Sequence, residues 1–288
     1  MIDVNDEAIN IKKRLIEIEN IQKELQNEQE FLKNKIHLYF DGEQFETSKA
    51  EAFIVDWYWQ NCYGSEIRID PIRVNYTKNS LEKTIKKYVT NYNRALDIGC
   101  GYGLFTEFMA SRFKESIGLD LSEFRVGENN KNNKLENVKY LSDNFVTCDK
   151  SKLGKFDFIF ASDINMYSSE KDYEQIFNSY LDLLDDEGVL LMRESVYKED
   201  EYKEHKSHRY VAYYKSINYY KNGIYKNYYI DSFKDTSIHI NELNRKYFSL
   251  FPEKKAEVER DIKLLDDIVK NNISRDTTTS YYYIYKKD

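Results

Sequence analysis

The chain has 288 residues, room for one large or two small domains at the usual roughly 100–200 residues per domain. Charged residues make up 32% of it and the net charge is -7, so it lacks the global cationic field that nucleic-acid binders use to neutralise phosphates, and nucleic acid is disfavoured as a partner. No stretch approaches the roughly 18 apolar residues of a membrane span, and the early Asp3, Asp6 and Glu7 are unlike a signal peptide.

Cys62, Cys100 and Cys148 are odd in number and lack metal-site spacing, which predicts a reducing, cytoplasmic setting and implies no metal. In chain order, residues 1–40 predict a helix. Ile11, Ile18, Leu25 and Leu32 recur every seven residues, with Leu15 and Ile36 filling intervening positions and Gln22 and Gln29 interrupting them. Such an imperfect heptad seam pairs with a second copy or folds back on the core. Residues 41–93 predict an aromatic-rich helical segment around Trp57 and Trp59, which covers a ligand as a lid or buries a helix against a sheet. Leu81, Ile85, Tyr88 and Val89 form the apolar face of its last helix.

The clearest signal follows. Ala95-Leu96-Asp97-Ile98 predicts a strand buried on both faces, Gly99, Gly101 and Gly103 predict a turn whose backbone N–H groups can meet a ligand, and Leu104, Phe105, Phe108 and Met109 begin a helix. Dinucleotide sites use G-x-G-x-x-G, but here the third glycine comes one residue early and Leu104 stands in its place. Asp97, just before the turn, would repel a pyrophosphate and attract an ammonium group. About twenty residues on, Ser116 to Leu121 predicts a second strand whose Asp120 is placed to accept hydrogen bonds from a ribose diol.

Leu-Asp-Ile-Gly-Cys-Gly-Tyr-Gly resembles motif I of the class I S-adenosylmethionine-dependent methyltransferases. The resemblance covers Asn91 to Met192 well and implies an α/β, doubly wound, mostly parallel seven-stranded sheet over residues 94–288, with S-adenosylmethionine as cofactor. It places Gly99, Cys100, Gly101 and Tyr102 against the cofactor, Asp97 near its methionine moiety, Asp120 and Leu121 at its ribose, Asp143 or Asn144 at the adenine amino group and Ser162 at the mouth. The sequence lacks the Asn/Asp-Pro-Pro-Tyr and Pro-Cys motifs of enzymes that methylate nucleic-acid bases.

Beyond Asp120, strands are predicted at Val138–Leu141, Phe156–Ala161 and Gly188–Glu194, with a helix on Tyr173, Ile176, Phe177 and Tyr180. A Lys-, His- and Tyr-dense segment then offers acceptor contacts. Leu243 to Val269 predicts a helical insertion near 242–275, and Ser280–Lys286 the antiparallel strand that closes the sheet. Candidate bases are Asp163, Glu194, His205 and His208. The expected function is methyl transfer to oxygen or nitrogen of a small-molecule or glycan-like acceptor, anionic if the basic segment steers it. A catalytically inactive cofactor-binding partner and a protein N-methyltransferase stay open as alternatives, and the glycine spacing opposes a nicotinamide oxidoreductase.

Overall fold

A computed structural model describes residues 12, 14–27, 70–168, 170–197, 203–206, 211–223, 225–272 and 278–287. The chain divides into two units, Met1–Ser65 and Glu66–Asp288. In the first, residues 14–27 are helical, and Leu15, Ile18 and Leu25 of the expected seam are exposed. Ile11, Leu32 and Ile36 lie outside the described residues, as do Trp57 and Trp59. No helix among the described residues is long and apolar enough to cross a membrane.

The second unit is built on β1 (Arg94–Ile98), β2 (Glu115–Asp120), β3 (Val138–Ser142), β4 (Phe156–Ser162), β5 (Leu184–Tyr197), β8 (Tyr229–Asp235) and β9 (Thr278–Lys286), with β6 (Lys203–Lys206) and β7 (Val211–Tyr214) forming a separate hairpin. The seven-stranded order is β3-β2-β1-β4-β5-β9-β8. β1 to β5 pair in parallel, while β9 is antiparallel to both its neighbours. The inner strands are apolar without alternation because both faces are covered. Leu96, Ile98, Ile159 and Ala161 pack with Tyr173, Ile176, Phe177 and Tyr180 of α4 (Glu170–Leu183). Ala95, Phe158 and Phe160 pack on the opposite face with Leu81 and Ile85 of α1 (Pro71–Tyr88) and Met109 of α2 (Leu104–Ala110). α3 (Glu123–Asn132) links β2 to β3, and α5 (Ile217–Asn222) follows the hairpin.

Both prolines of the chain, Pro71 and Pro252, open helices, where a missing N–H costs nothing. Asp70 caps α1 through the Ile72 amide at 2.9 Å. The same side chain accepts from Asn244 of α6 (Ile240–Lys246) at 3.1 Å and pairs with Lys255 of α7 (Pro252–Arg260) at 3.2 Å. With α8 (Leu264–Asn272), these helices bury Leu243, Val258 and Leu265 against Ile72. The predicted helical insertion is thus a brace on the start of α1.

One expectation is corrected. β9 does not close the sheet: it lies between β5 and β8, and β8 is the edge. As an edge strand only partly buried along its length, β8 (Tyr-Ile-Asp-Ser-Phe-Lys-Asp) has no apolar run to announce it.

Candidate cofactor and acceptor site

The strand order reverses at β1, whose neighbours are β2 and β4, and the crevice beyond the carboxyl ends of such strands is where α/β sheets bind ligands. The glycine corner forms one side of it. Gly99 and Cys100 donate to the Leu119 carbonyl at 2.7 and 3.1 Å, which ties the turn to β2. Gly101, at φ 49°, donates to the Asp120 carboxylate at 2.8 Å, and a β-carbon built there would meet nothing within 4 Å, so this backbone faces open space. Gly103, at φ 73°, begins α2 beneath the Tyr140 ring, which a β-carbon would strike at 2.8 Å.

Asp120 also accepts from Ser122 N–H at 3.0 Å, so its carboxylate is oriented by two backbone donors. Leu121 is half-buried beside it. Asp97 is buried and accepts from the Thr106 hydroxyl at 2.6 Å. Burial, helped by the nearby Asp120 charge and opposed by Thr106, pushes its pKa up to about 7. A carboxylate held this way gains from an incoming cation. At the rim the Arg125 guanidinium lies 4.0 Å over the half-exposed Tyr102 ring. Farther along, Asn144 uses its side-chain oxygen to accept from Val146 N–H at 2.9 Å, whereas Asp143 is exposed with one carboxylate oxygen on the Asn144 amide.

The other side is the mouth at the ends of β4 and β5. Ser162 lines the cleft there, with Arg73 and Thr77 of α1, Phe105, Phe160, Asp163 and Arg193. Asp163 has φ 54°, a costly conformation for a residue other than glycine. Its N–H donates to the Arg193 carbonyl at 2.7 Å, and its carboxylate accepts from the Arg193 guanidinium and from Ser195 at 3.1 Å. Arg193 in turn donates to Asp235 at 2.6 Å. Burial alone would favour loss of the Arg193 proton, but Asp163 and Asp235 outweigh it and raise its pKa.

This geometry corrects Asp163 as a candidate base, because Arg193 and Ser195 engage both of its carboxylate oxygens. Glu194 points into the opposite core. It is fully buried, accepts from the Asn165 side chain at 2.7 Å, and has its pKa raised to about 8, by burial first and by Asp163 second. Tyr180 donates to Asn165 at 2.8 Å, and Lys215 donates to the Asn165 and Ser168 carbonyls at 2.9 and 2.8 Å. Glu194 thus anchors the 3-10 turn after β4. His205 lies on β6, and His208 lies outside the described residues.

The sequence reading missed Asn129, which donates to the Gly101 carbonyl at 2.8 Å, together with Thr106, Arg73, Arg193 and Asp235. Only Arg193 carried a signal, as a charge inside an apolar strand. The cradle fits S-adenosylmethionine on three counts: open backbone at Gly101, a buried carboxylate suited to an ammonium group, and an oriented Asp120 suited to a diol.

Residues 95–188 match the family described as "Methyltransferase domain". The 1,6-didemethyltoxoflavin-N1-methyltransferase of Burkholderia thailandensis superposes with a TM-score of 0.56 at 12% identity, over 86% of this chain and 92% of that one. The N-methyltransferase NodS of Bradyrhizobium japonicum, in complex with S-adenosylhomocysteine, gives 0.52 at 11% identity, over 82% and 98%. At these identities the likeness carries the fold. No curated protein matches the chain in sequence. Residues 95–188 thus carry a methyltransferase domain, set in the sheet and glycine corner described above, and S-adenosylmethionine is the cofactor that its cradle fits.

Proposed function

We propose that this methyltransferase acts on an oxygen or nitrogen atom of a small-molecule or glycan-like acceptor, one that can carry negative charge. The observation behind this is where the basic segment stands. The chain leaves β5 at Tyr197 and returns beside it at Ser216, bridged in parallel, and the excursion between contains the β6–β7 hairpin. β7 lies against the 3-10 turn that follows β4. Lys203, His205 and Lys206 belong to β6, the partner strand of β7, and cations brought near the mouth in this way would steer an anion. The two structural relatives are named as N-methyltransferases, and both acceptor atoms are kept for this chain.

S-adenosylmethionine supplies an electrophilic methyl group on a sulfonium. The chain's contribution is positional: Asp97 holds the ammonium end, Asp120 the ribose, and the walls formed by Phe105 and Phe160 exclude water. A neutral amine needs no base, whereas a hydroxyl would draw on His205 or His208. For the N-terminal helix we propose a second copy of the chain as partner, paired along Leu15, Ile18 and Leu25.

Incubating the protein with methyl-labelled cofactor and cell extract tests the acceptor class. Label in the small-molecule or glycan fraction, greater at low salt, supports the proposal. Label on proteins would establish protein N-methylation, and label nowhere would leave a cofactor-binding partner protein.

A further inference from the structure

The N-terminal helix carries its own instructions for direction. Over residues 14–27, Leu15 and Gln22 alternate with Ile18 and Leu25 at steps of three and four, the a and d positions of a heptad seam. Leu15, Ile18 and Leu25 are 54, 39 and 59% exposed, and Gln22 stands exposed among them. Arg14 precedes an a residue and Glu19 follows a d residue, so the two occupy the flanking g and e positions, and both are exposed.

The two ways of pairing such a helix with its own copy differ in what they place opposite the amide and the charges. In a parallel, in-register pair each a residue meets its own copy, so Gln22 meets Gln22 of the second chain and the two amides can donate to and accept from each other. The g residue of one helix then meets the following e residue of the other, which sets Arg14 beside Glu19 of the second chain, twice by symmetry. In the antiparallel pair that keeps the same four layers, a residues meet d residues. Gln22 would bury its amide against Ile18 of the second chain without a partner, and Glu19 would face Glu19 of the second chain. Arg14 also pairs with Glu17 of its own helix at 2.7 Å, so the amide layer carries the direction and the flanking charges add to it. The sequence repeats both features one and two heptads on, with Gln29 seven residues after Gln22 and the opposite charges of Glu28 and Lys33 at g and e spacing.

We infer that the N-terminal helices of two copies of this chain pair in parallel and in register. The inference rests on the second copy proposed above and fixes its direction, so that both chains leave the pair at the same end. A buried polar layer that is satisfied only by its own copy costs stability but excludes the other alignment.

The test is oxidative cross-linking of the full chain at introduced cysteines, with the wild-type chain and its native Cys62, Cys100 and Cys148 as background. Gln22→Cys should move the non-reduced chain from 34.5 kDa to twice that mass, because facing a positions lie within disulfide reach. Glu19→Cys should stay at the single-chain mass, since parallel pairing holds the two e positions on opposite flanks. Under reducing conditions light scattering should give both variants the mass of a wild-type dimer, which shows that the helices still pair. A cross-link at Glu19→Cys and none at Gln22→Cys would overturn the parallel direction while leaving the second copy in place. A dimer that cross-links at neither position would overturn pairing along this seam. A wild-type monomer, as from a helix folded onto its own core, would overturn both the direction and the second copy.

Discussion

The two sides of the cleft are held by different kinds of interaction. At the glycine corner every contact has a backbone group on at least one side: Gly99 and Cys100 on Leu119, Gly101 on Asp120, Asn129 on the Gly101 carbonyl. At the mouth they are charged side chains from four elements, Arg73, Asp163, Arg193 and Asp235, gathered only when α1 and β8 reach the sheet. The corner draws on β1, α2, β2 and α3, which follow one another directly in the chain. An ion chain built from remote elements couples the site to the whole unit, and its stability depends on every charge keeping its partner.

The largest effect that separates the two sides should come from Asp235→Leu. Removing one carboxylate leaves Arg193 buried and under-compensated, which costs about 3–5 kcal/mol when a buried pair is broken. Chemical denaturation should show an unfolding free energy lower by that amount, and an unchanged value would mean that the ion chain does not support the fold. Asp120→Ala acts on the other side. It should weaken S-adenosylmethionine binding by about 1–3 kcal/mol, the cost of unsatisfied partners, with little change in unfolding free energy. Affinity unchanged by calorimetry would remove Asp120 from the ribose assignment.

A subtler contrast is in pH. Asp97, with a pKa pushed up to about 7, must lose its proton to pair with an ammonium group, so cofactor affinity should rise with pH by at most about tenfold per unit below 7 and level off above. For the ligand-free protein the sign is opposite. A raised carboxyl pKa stabilises the fold fully below the unfolded value of 3.8, and this stabilisation is lost as pH rises through about 7. Titrations of Asp97→Asn should flatten the affinity profile; a profile that keeps its slope would assign the dependence to another group. The smallest effect on the cleft should come from deleting the residues before Tyr39. Light scattering should report a smaller species with unaltered cofactor affinity, whereas an unchanged mass would argue against pairing through the N-terminal helix.

The same contrast governs what could be read from residues alone. Strands β1, β2 and β4 and the face of α4 were legible because burial on both sides of the sheet demands unbroken apolar runs, and helix burial demands 3.6-residue periodicity. The corner formed by Asp97, Gly99, Gly101 and Asp120 could be located in advance because its residues fall within one consecutive β1–α2–β2 unit. β8 escaped because an edge strand carries no such pattern, and Asp163 was taken for a base because its partner Arg193 is thirty residues away on another strand.

By itself, then, the sequence determined the glycine corner, the carboxylates that face it and the central strands, because local backbone conformation and apolar periodicity are written in neighbouring residues. The tertiary structure decided which charges pair at the mouth, that Glu194 is a buried anchor, and that the C-terminal helices brace α1. A charge acquires its role from whatever the fold brings within about 4 Å of it, and no spacing along the chain encodes that distance.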